Sequence, residues 1–164
     1  MDYHVELIDK NTAKDLIITN HYSHKWTSCR YALGLFKEDI LVGVAVYGFP
    51  VGRQVVTSIL KDSKILSNKN VLELTRLWVN DSEGKNTESF FLGKTFWWIK
   101  KHAPNVRVLI SYSDPMVGHI GKIYQATNWW YQGNNTMLIK SYFHKINNEL
   151  MHPRTSKMRR SGKR

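Results

Sequence analysis

The sequence predicts a single α/β domain. Apolar runs with the two-residue period of strands alternate with runs that have the spacing of amphipathic helices, and residues 71–127 follow the order strand, loop, helix, strand, helix. A length of 164 residues fits one domain, and 42% apolar residues suffice for a packed core. Neither an internal repeat nor an interdomain linker is apparent, so all elements are expected to share one fold.

The first part of the chain predicts strands around one helix and a hairpin. Runs rich in β-branched and aromatic residues predict strands at 3–8, 31–36 and 40–48, the last two forming an antiparallel hairpin across a short polar turn. Asn11 or Thr12 can cap a helix that ends near His21. Residues 54–61 could form a short helix in a segment rich in turn residues.

The second part predicts alternating strands and helices. These are a strand at 71–79, a helix at 87–102, a strand at 106–113, a helix at 117–127 and a terminal hairpin of 129–133 with 137–143. In the long helix, Leu92, Phe96 and Ile99 recur at helical spacing, so they are expected to face the core. Lys94 and Lys101 should point into solvent.

Basic residues outnumber acidic ones and are concentrated at the C-terminus. The chain has 24 Lys and Arg against 13 Asp and Glu, a net charge of +11, which favours polyanionic partners. We expect a folded domain over 1–150 and a basic flexible tail over 151–164. The tail contains Arg154, Lys157, Arg159, Arg160, Lys163 and Arg164. It could be a solvated tail that aids solubility, or an arm that neutralises phosphates.

Cysteine usage and hydropathy exclude several classes of protein. Cys29 is the only cysteine, so no internal disulfide and no paired-cysteine zinc site can form, and a reducing, cytoplasmic setting is expected. The N-terminus has no apolar signal-like segment, and no apolar run approaches about 18 residues, the length that crosses a membrane. The protein is therefore expected to be soluble.

An arginine and an aspartate are the first candidates for chemistry. Arg76 lies in an apolar strand, on the face expected to carry Leu74 and Trp78, where an unpaired charge is costly. It could form an internal ion pair with Asp114 or Glu73, or it could line a cleft and bind cofactor phosphate, position substrate or orient Asp114. Asp114 ends a strand just before a proline, so it could accept a proton from an amine or cap the next helix.

Other polar side chains lie near these two or at element ends. Ser113, His119 and Tyr124 are close to Asp114 in sequence, although Tyr124 could be a core phenol. On an ideal helix, His119 and Tyr124 would be about 140° apart and would not share a narrow face. His21, at a helix end, could act chemically or interact with the helix dipole. Two histidines and a carboxylate could also hold a metal such as iron.

Several segments resemble known families. The stretch from "VLELTRLWV" through "VRVLISYSD" and "GHIGKIYQAT" to "NWWYQG" resembles the core of the GNAT superfamily of N-acetyltransferases. Through most of the chain, "NHYSHKW", "ELTRLWV", "ESFFLGKTFWW", "YSDPMVGHIGKIYQATNWWYQG" and a late "HPR" resemble the Mom family of phage DNA-modification proteins. The resemblance implies a mixed, mostly antiparallel sheet flanked by helices, and a phage-encoded protein acting in a host cell.

The function implied by the resemblance is conversion of adenine in double-stranded DNA to N6-carbamoylmethyladenine, which protects phage DNA from host restriction. Acetyl-coenzyme A is the implied cofactor, although simple acyl transfer cannot form the nitrogen–methylene bond of this product. Since the adenine amine is paired in a duplex, the base should be extruded and stacked on Trp129, Trp130 or Tyr22. Two alternatives are an acetyltransferase acting on a protein, a small amine or aminoacyl-tRNA, and a non-enzymatic DNA-binding protein.

The resemblance also implies roles for individual residues. It places catalytic function on Arg76, on Tyr124 as proton donor, and on a histidine best matched by His21. Because the neutral adenine amine is a weak nucleophile, we also expect a general base, either Asp114 alone or Asp114 with His21. Cofactor contacts are expected from Leu77, Val79, Lys85, Asn86, Ser89 and Tyr124. The loop before helix 87–102 departs from the superfamily's glycine-rich phosphate loop, since it contains only Gly84 and is flanked by Glu83 and Glu88.

Overall fold

A five-stranded sheet forms the centre of the fold. The computed structural model describes residues 3–50, 53–59, 67–113, 119–133, 144–146 and 149–151. The sheet contains β1 (Tyr3–Leu7), β2 (Tyr31–Lys37), β3 (Ile40–Gly48), β4 (Val71–Val79) and β5 (Val108–Ser111), in that spatial order. Neighbours from β1 to β4 are antiparallel, whereas β4 and β5 are parallel. The expected mixed, mostly antiparallel sheet is confirmed.

Helices cover both faces of this sheet. They are α1 (Lys10–Asn20), α2 (Arg53–Ile59), α3 (Thr87–His102) and α4 (Lys122–Ala126). The larger core cluster joins α3 to one face and includes Leu33, Leu35, Tyr47, Leu72, Leu92 and Ile99. The smaller cluster joins α1 to strand residues Ala32, Val44 and Val46 through Ala13 and Ile17. Since each strand alternates its side chains between faces, α1 and α3 lie on opposite sides of the sheet.

Helix α3 has the boundaries and the orientation that its pattern predicts. Leu92 and Ile99 are buried and Phe96 is partly buried, whereas Lys94 and Lys101 are exposed. A buried hydrogen bond of 2.7 Å between Tyr47 Oη of β3 and Thr95 Oγ1 also fixes the helix to the sheet. The buried face of α3 therefore includes a hydrogen-bonded threonine, which the spacing of apolar residues does not reveal.

Helix α1 begins earlier than predicted. Asp9, not Asn11 or Thr12, is the N-cap, and its carboxylate accepts hydrogen bonds from the backbone amides of those two residues at 2.7 and 3.2 Å. A carboxylate at this position satisfies amides that otherwise lack partners and interacts favourably with the helix dipole. The helix ends at Asn20, with His21 as its C-cap, as expected.

A β-bulge in β4 changes the direction of Arg76. Tyr47 of β3 pairs with Leu74 and Val46 pairs with Arg76, so Thr75 is an extra residue on β4. Leu74 consequently packs in the core cluster that contains α3, whereas Trp78 packs against the α1 cluster. The prediction that Arg76 shares a face with both Leu74 and Trp78 is wrong, because the bulge shifts the alternation by one residue between them.

Strands β4 and β5 pair over only part of their length. Residues Val71 to Leu74 pair with Val108 to Ser111, and β4 then continues to Val79 beyond the end of β5. Strand β5 is shorter than the predicted run of 106–113. Within the described ranges, the segment from Thr75 onward has no strand on its β5 side, which leaves a gap in the sheet.

Two predicted elements near the C-terminus are wrong. Helix α4 covers only Lys122–Ala126, because Gly121 has φ of 75° and cannot continue a right-handed helix. Residues 129–133 form no strand, so the predicted terminal hairpin does not form with them, while its partner 137–143 lies outside the described residues. A small antiparallel hairpin occurs later, between β6 (His144–Ile146) and β7 (Glu149–Met151).

The chain divides into two compact units, Met1–Trp129 and Trp130–Arg164. The first contains the five-stranded sheet and α1 to α4, and the second contains the hairpin of β6 and β7. The predicted boundary at residue 150 stays a prediction, because residues 152–164 lie outside the described ranges. In the described part of the chain, no helix has both the length and the apolar composition that crossing a bilayer requires.

Candidate active site

A cavity of about 540 Å³ lies where β4 extends beyond β5. Its wall is formed by Thr75, Arg76 and Leu77 of β4, the residues after α1, the first turn of α3, and the segment from His119 to Tyr124. The carboxyl ends of parallel strands commonly form ligand sites, because the chain leaves the sheet there and side chains converge. The fold therefore places several of the predicted functional residues around one opening.

Arg76 is half-buried at this cavity and is held by backbone carbonyls. Its Nε donates to the Lys25 carbonyl at 3.0 Å, and one terminal nitrogen donates to the Thr75 carbonyl at 2.6 Å. Burial lowers the pKa of the guanidinium, which still remains charged at neutral pH. No described carboxylate forms an ion pair with it, so the alternative of an ion pair with Glu73 is not realised. Glu73 interacts with this charge only at longer range, so the guanidinium at the cavity wall is not held in a salt bridge by a described acid.

Three aromatic rings form a row along the cavity wall. The His21 and Tyr22 ring centroids are 4.2 Å apart, and those of Tyr22 and His119 are 4.9 Å apart. His21 is 7% exposed, whereas Tyr22 is 51% exposed. The row thus begins at the end of α1 in the protein interior and reaches the surface through Tyr22.

The hydrogen bonds of His21 define its protonation state. The backbone amide of Ser23, which can only donate, lies 3.1 Å from His21 Nδ1, and Ser23 Oγ is 2.8 Å from the same atom. Nδ1 is therefore an acceptor, and the proton of the neutral ring is on Nε2. Burial, followed by the charge of Arg76, lowers the pKa of His21 to about 4. At neutral pH this histidine is an uncharged hydrogen-bond donor.

Tyr124, which lines the cavity, forms a second polar pair with Ser111 of β5, which lies behind the lining. Ser111 Oγ lies 2.8 Å from Tyr124 Oη and 3.1 Å from the Leu74 carbonyl oxygen. Burial raises the pKa of the Tyr124 phenol, although its hydrogen bond with Ser111 opposes this effect. Tyr124 is therefore protonated at neutral pH and can donate its proton. Its ring packs edge-on against Trp129, with 5.3 Å between the centroids.

The N-terminus of α3 forms another part of the rim. Asn86, the N-cap, has φ of 69° and makes no side-chain capping hydrogen bond, and both Glu88 and Ser89 line the cavity. Amides in a first helical turn that lack a cap are free to bind an anion. Glu83, expected to bring negative charge here, instead binds the Tyr3 hydroxyl and Lys37.

The structure places most of the predicted site residues at this cavity. Those that line it are His21, Arg76, Leu77, Asn86, Ser89, Ser113, His119 and Tyr124. Val79 belongs to the core and Lys85 is exposed outside the lining, so the predicted cofactor contacts of these two have no support in the geometry. His119 precedes α4 and is not part of it, so the angle expected between it and Tyr124 on one helix does not apply, and both residues line the cavity. Asp114 and the basic residues Arg154, Lys157, Arg159, Arg160, Lys163 and Arg164 lie outside the described residues.

Sequence reasoning missed Ser111, Lys122 and Thr75. Ser111 is the polar residue that ends the apolar run of β5, and a polar side chain at the carboxyl end of a parallel strand is the signal that identifies it. Lys122 lines the cavity from the first turn of α4. No pattern in the sequence identifies Thr75, because its position depends on how β3 and β4 pair.

A metal site is not defined by the described residues. Over the ranges that the structure describes, no group of three His, Cys, Asp or Glu side chains is close enough to hold a metal ion. The iron hypothesis therefore stays a prediction.

Comparison with solved structures agrees with this architecture. An aminoglycoside acetyltransferase from an uncultured soil metagenomic sample, in complex with sisomicin, matches with a TM-score of 0.55 and 10% identity over 80% of this chain and 91% of that chain. The aminoglycoside N-acetyltransferase AAC(6')-Iy in complex with CoA matches with a TM-score of 0.55 and 11% identity, over 81% and 91% of the two chains. The fold is thus that of the GNAT acetyltransferases.

Comparison of sequences defines the family. The protein is 31% identical over 166 aligned positions to the methylcarbamoylase Mom of Escherichia phage Mu. That alignment includes 98% of this chain but only 64% of the phage Mu protein, so the chain spans about two thirds of its relative's length. The Mom protein family model matches residues 2–164. The chain therefore belongs to the Mom protein family.

Proposed function

We propose that this protein is a DNA-modification enzyme that converts adenine in double-stranded DNA to N6-carbamoylmethyladenine, and so protects phage DNA from host restriction. The observation that carries the proposal is the cavity of a Mom-family chain in which Arg76, uncharged His21 and protonated Tyr124 meet. The phage Mu relative, a methylcarbamoylase, supports the group that is transferred.

Tyr22 is the surface on which the extruded adenine would stack. Its ring is half exposed between His21 and His119, and a planar base can extend this row of rings. Trp129 is less suitable, because its ring packs edge-on against Phe96 and Tyr124, with centroids 5.7 and 5.3 Å away. Extrusion costs a few kcal/mol of pairing and stacking energy, which interactions with the displaced base offset.

We assign the proton transfers of this reaction to residues of the cavity and to Asp114, which lies outside the described residues. The adenine amine loses a proton as its new bond to carbon forms, and Asp114 is our candidate to accept that proton. His21 would donate a hydrogen bond through Nε2–H, because Nδ1 already accepts from Ser23. Arg76 would stabilise negative charge that develops in the transition state. Where a thioester is cleaved, Tyr124 would protonate the departing thiolate.

An acetyl-coenzyme A type of cofactor fits the rim of the cavity. The uncapped first turn of α3, with Ser89 beside it, could bind phosphate, and Lys122 adds a positive charge. Thr75 to Leu77 of β4 have no strand on the β5 side, so their backbone groups could hydrogen-bond to an extended cofactor arm. Such a cofactor, when bound, supplies an activated acetyl thioester.

Mass spectrometry of nucleosides tests the proposed reaction. DNA from cells that express the wild-type protein should contain N6-carbamoylmethyladenine, and Arg76→Ala and Asp114→Asn should each reduce it at least about 100-fold, as is usual when a group that stabilises the transition state is removed. Arg107→Ala is the matched control, because Arg107 is exposed and does not line the cavity. Unmodified adenine throughout, from soluble wild-type protein, contradicts the proposal.

A second candidate is an ordinary N-acetyltransferase for a protein, a small amine or aminoacyl-tRNA, which the fold shared with the aminoglycoside acetyltransferases favours. It predicts that the protein releases coenzyme A when given an amine acceptor without DNA, and that Tyr124→Phe slows this release. The remaining alternative, a non-enzymatic DNA-binding protein, predicts DNA binding with neither modified adenine nor coenzyme A release.

A further inference from the structure

The outer face of α3 carries aromatic and basic side chains in one row, which we call the α3 stripe: Phe90, Lys94, Trp97 and Lys101. These positions are spaced by four, three and four residues, so they lie on one face of the helix. Lys94 and Lys101 are exposed, and Phe90 and Trp97 are 41% and 72% exposed. This face is opposite to the helix face that packs into the core through Leu92, Phe96 and Ile99.

Each ring of the α3 stripe has a lysine ammonium group near its face, one from Lys94 of the stripe and one from the neighbouring Lys100. Lys94 Nζ lies 5.3 Å from the centroid of Phe90, and Lys100 Nζ lies 5.5 Å from the centroid of Trp97. Interaction of an ammonium group with a ring helps to hold the ring in place at the surface. The rings are therefore presented to solvent with positive charge beside them.

A groove of about 570 Å³ separates this helix face from edge strand β1. Lys94, Trp97 and Lys101 line it on the helix side. Among the described residues that line it, Glu6 is the only carboxylate, and Glu6 Oε1 is already 3.3 Å from His4 Nε2. The groove is thus predominantly basic.

Local structural roles account for only part of this surface. Lys100, Lys101 and His102 occupy the last turn of α3, where positive charge stabilises the helix dipole. Lys94 is in the middle of the helix and gains nothing from that effect. Trp97 leaves most of its ring in water although a smaller polar residue would serve the helix equally well. The presence of Lys94 and Trp97 together is explained by a partner that binds both a positive charge and an aromatic ring.

We propose that the α3 stripe binds a strand of DNA, with Lys94 and Lys101 on phosphates about three nucleotides apart and a base on Trp97. The two lysines are about 10 Å apart along the helix axis, which spans about three nucleotides at a rise of 3.4 Å per nucleotide. Alternation of cations with exposed rings is the pattern of surfaces that bind single strands through backbone charge and base stacking. An acidic protein would match the charge but would gain less from the exposed Trp97.

The proposal rests on the proposed function for the identity of the polyanion. Helix α3 connects the two sites, because its first turn lines the candidate active site and its outer face carries the stripe. A strand held on the stripe would continue toward the cavity that receives the extruded adenine. The α3 stripe would thus contribute affinity for DNA, and the cavity would modify the adenine.

Equilibrium binding of labelled oligonucleotides to the full chain tests the stripe. At about 0.1 M salt, Lys94→Glu with Lys101→Glu should weaken binding at least about tenfold and flatten the dependence of log affinity on log salt by about 0.7–0.9 per lysine. Trp97→Ala should weaken it about tenfold, while Trp97→Phe should retain most of the affinity, because stacking needs only a ring. All four side chains are exposed or partly exposed, so folding should be preserved, as thermal unfolding can verify.

Lys14→Glu is the matched charge control, because Lys14 is exposed on α1, on the opposite side of the sheet. The proposal would be overturned if Lys14→Glu and Lys94→Glu weakened DNA binding equally. It would also be overturned if Trp97→Ala and Trp97→Phe bound DNA with equal affinity. Failure of the proposed function is a different result: soluble wild-type protein would bind DNA through the stripe without modifying adenine. If the wild type modifies adenine while the stripe variants bind normally, only the stripe inference fails.

Discussion

His21 combines a buried position with a low pKa, and this makes stability depend on pH. Its pKa is about 4 in the folded protein against an ordinary value of 6.5, so between these values the unfolded chain binds the additional proton. The free energy of unfolding should therefore fall as the pH decreases from about 6.5 to about 4. Urea unfolding at pH 7 and pH 5 should show this loss, and His21→Gln should reduce it. An identical pH dependence for His21→Gln and for the wild type would contradict the assignment.

The Tyr47–Thr95 pair predicts unequal effects of two substitutions. Thr95 Oγ1 donates to the Leu92 carbonyl at 2.7 Å, so Tyr47 must donate to Thr95. Thr95→Val leaves the Tyr47 hydroxyl buried without a partner and should cost about 1–3 kcal/mol, whereas Tyr47→Phe removes only one net hydrogen bond and should cost about 0.5–1.5 kcal/mol. Denaturant unfolding measures both. A larger loss for Tyr47→Phe would show that the hydroxyl has another acceptor.

Individual site residues were predictable where chemistry alone identifies them. Arg76 is conspicuous because a charge in an apolar strand needs an explanation, and the structure does place it at a cavity with His21 and Tyr124. Its orientation was not predictable, because the Thr75 bulge depends on pairing with β3. The uncharged state of His21 depends on Ser23 and on burial, which no residue pattern reveals. The pairing of Arg76 with Asp114 stays a prediction.

At the level of elements, close packing between β3 and the segment before β2 leads to a prediction about Gly48. A Cβ at Gly48 would collide with the Ser28 carbonyl, which is backbone and cannot rotate away. Gly48→Ala should therefore lower the free energy of unfolding by about 1–3 kcal/mol, as overpacking does. Gly93→Ala is the control, since a Cβ there meets nothing within 4 Å. In helix α3 it should stabilise by about 0.5–1 kcal/mol. Similar unfolding midpoints for the two variants would contradict this account.

Elements defined by local signals agree best with their predictions. Strand β4 and helix α3 have the predicted boundaries, because the patterns that predict them depend only on residues close together in the sequence. The run 129–133 has the aromatic content of a strand but forms none, since a strand also needs a partner. Helix α4 is short because Gly121 adopts a left-handed conformation that only the folded chain reveals.

For the whole molecule, the net charge of +11 predicts how the proposed DNA binding should respond to salt. Removing residues 153–164 should weaken binding and flatten its salt dependence by up to about 0.9 in slope for each phosphate that the protein no longer neutralises. Some salt dependence should remain after the deletion, because Lys94 and Lys101 of the α3 stripe are retained. An unchanged slope would show that the basic tail does not bind phosphates. The deletion also tests whether the remaining chain retains adenine modification.

The Thr75 bulge has a consequence for changes in chain length. Loss of that single codon would restore regular pairing with β3 without reversing Arg76, because Leu74 would still lie opposite Tyr47 and Arg76 opposite Val46. Loss of Leu77, with Trp78 kept opposite Val44, would instead place Arg76 opposite Ala45 and force a guanidinium into the aliphatic layer beneath α3. We expect β4 to accept deletion of Thr75 more readily than deletion of Leu77.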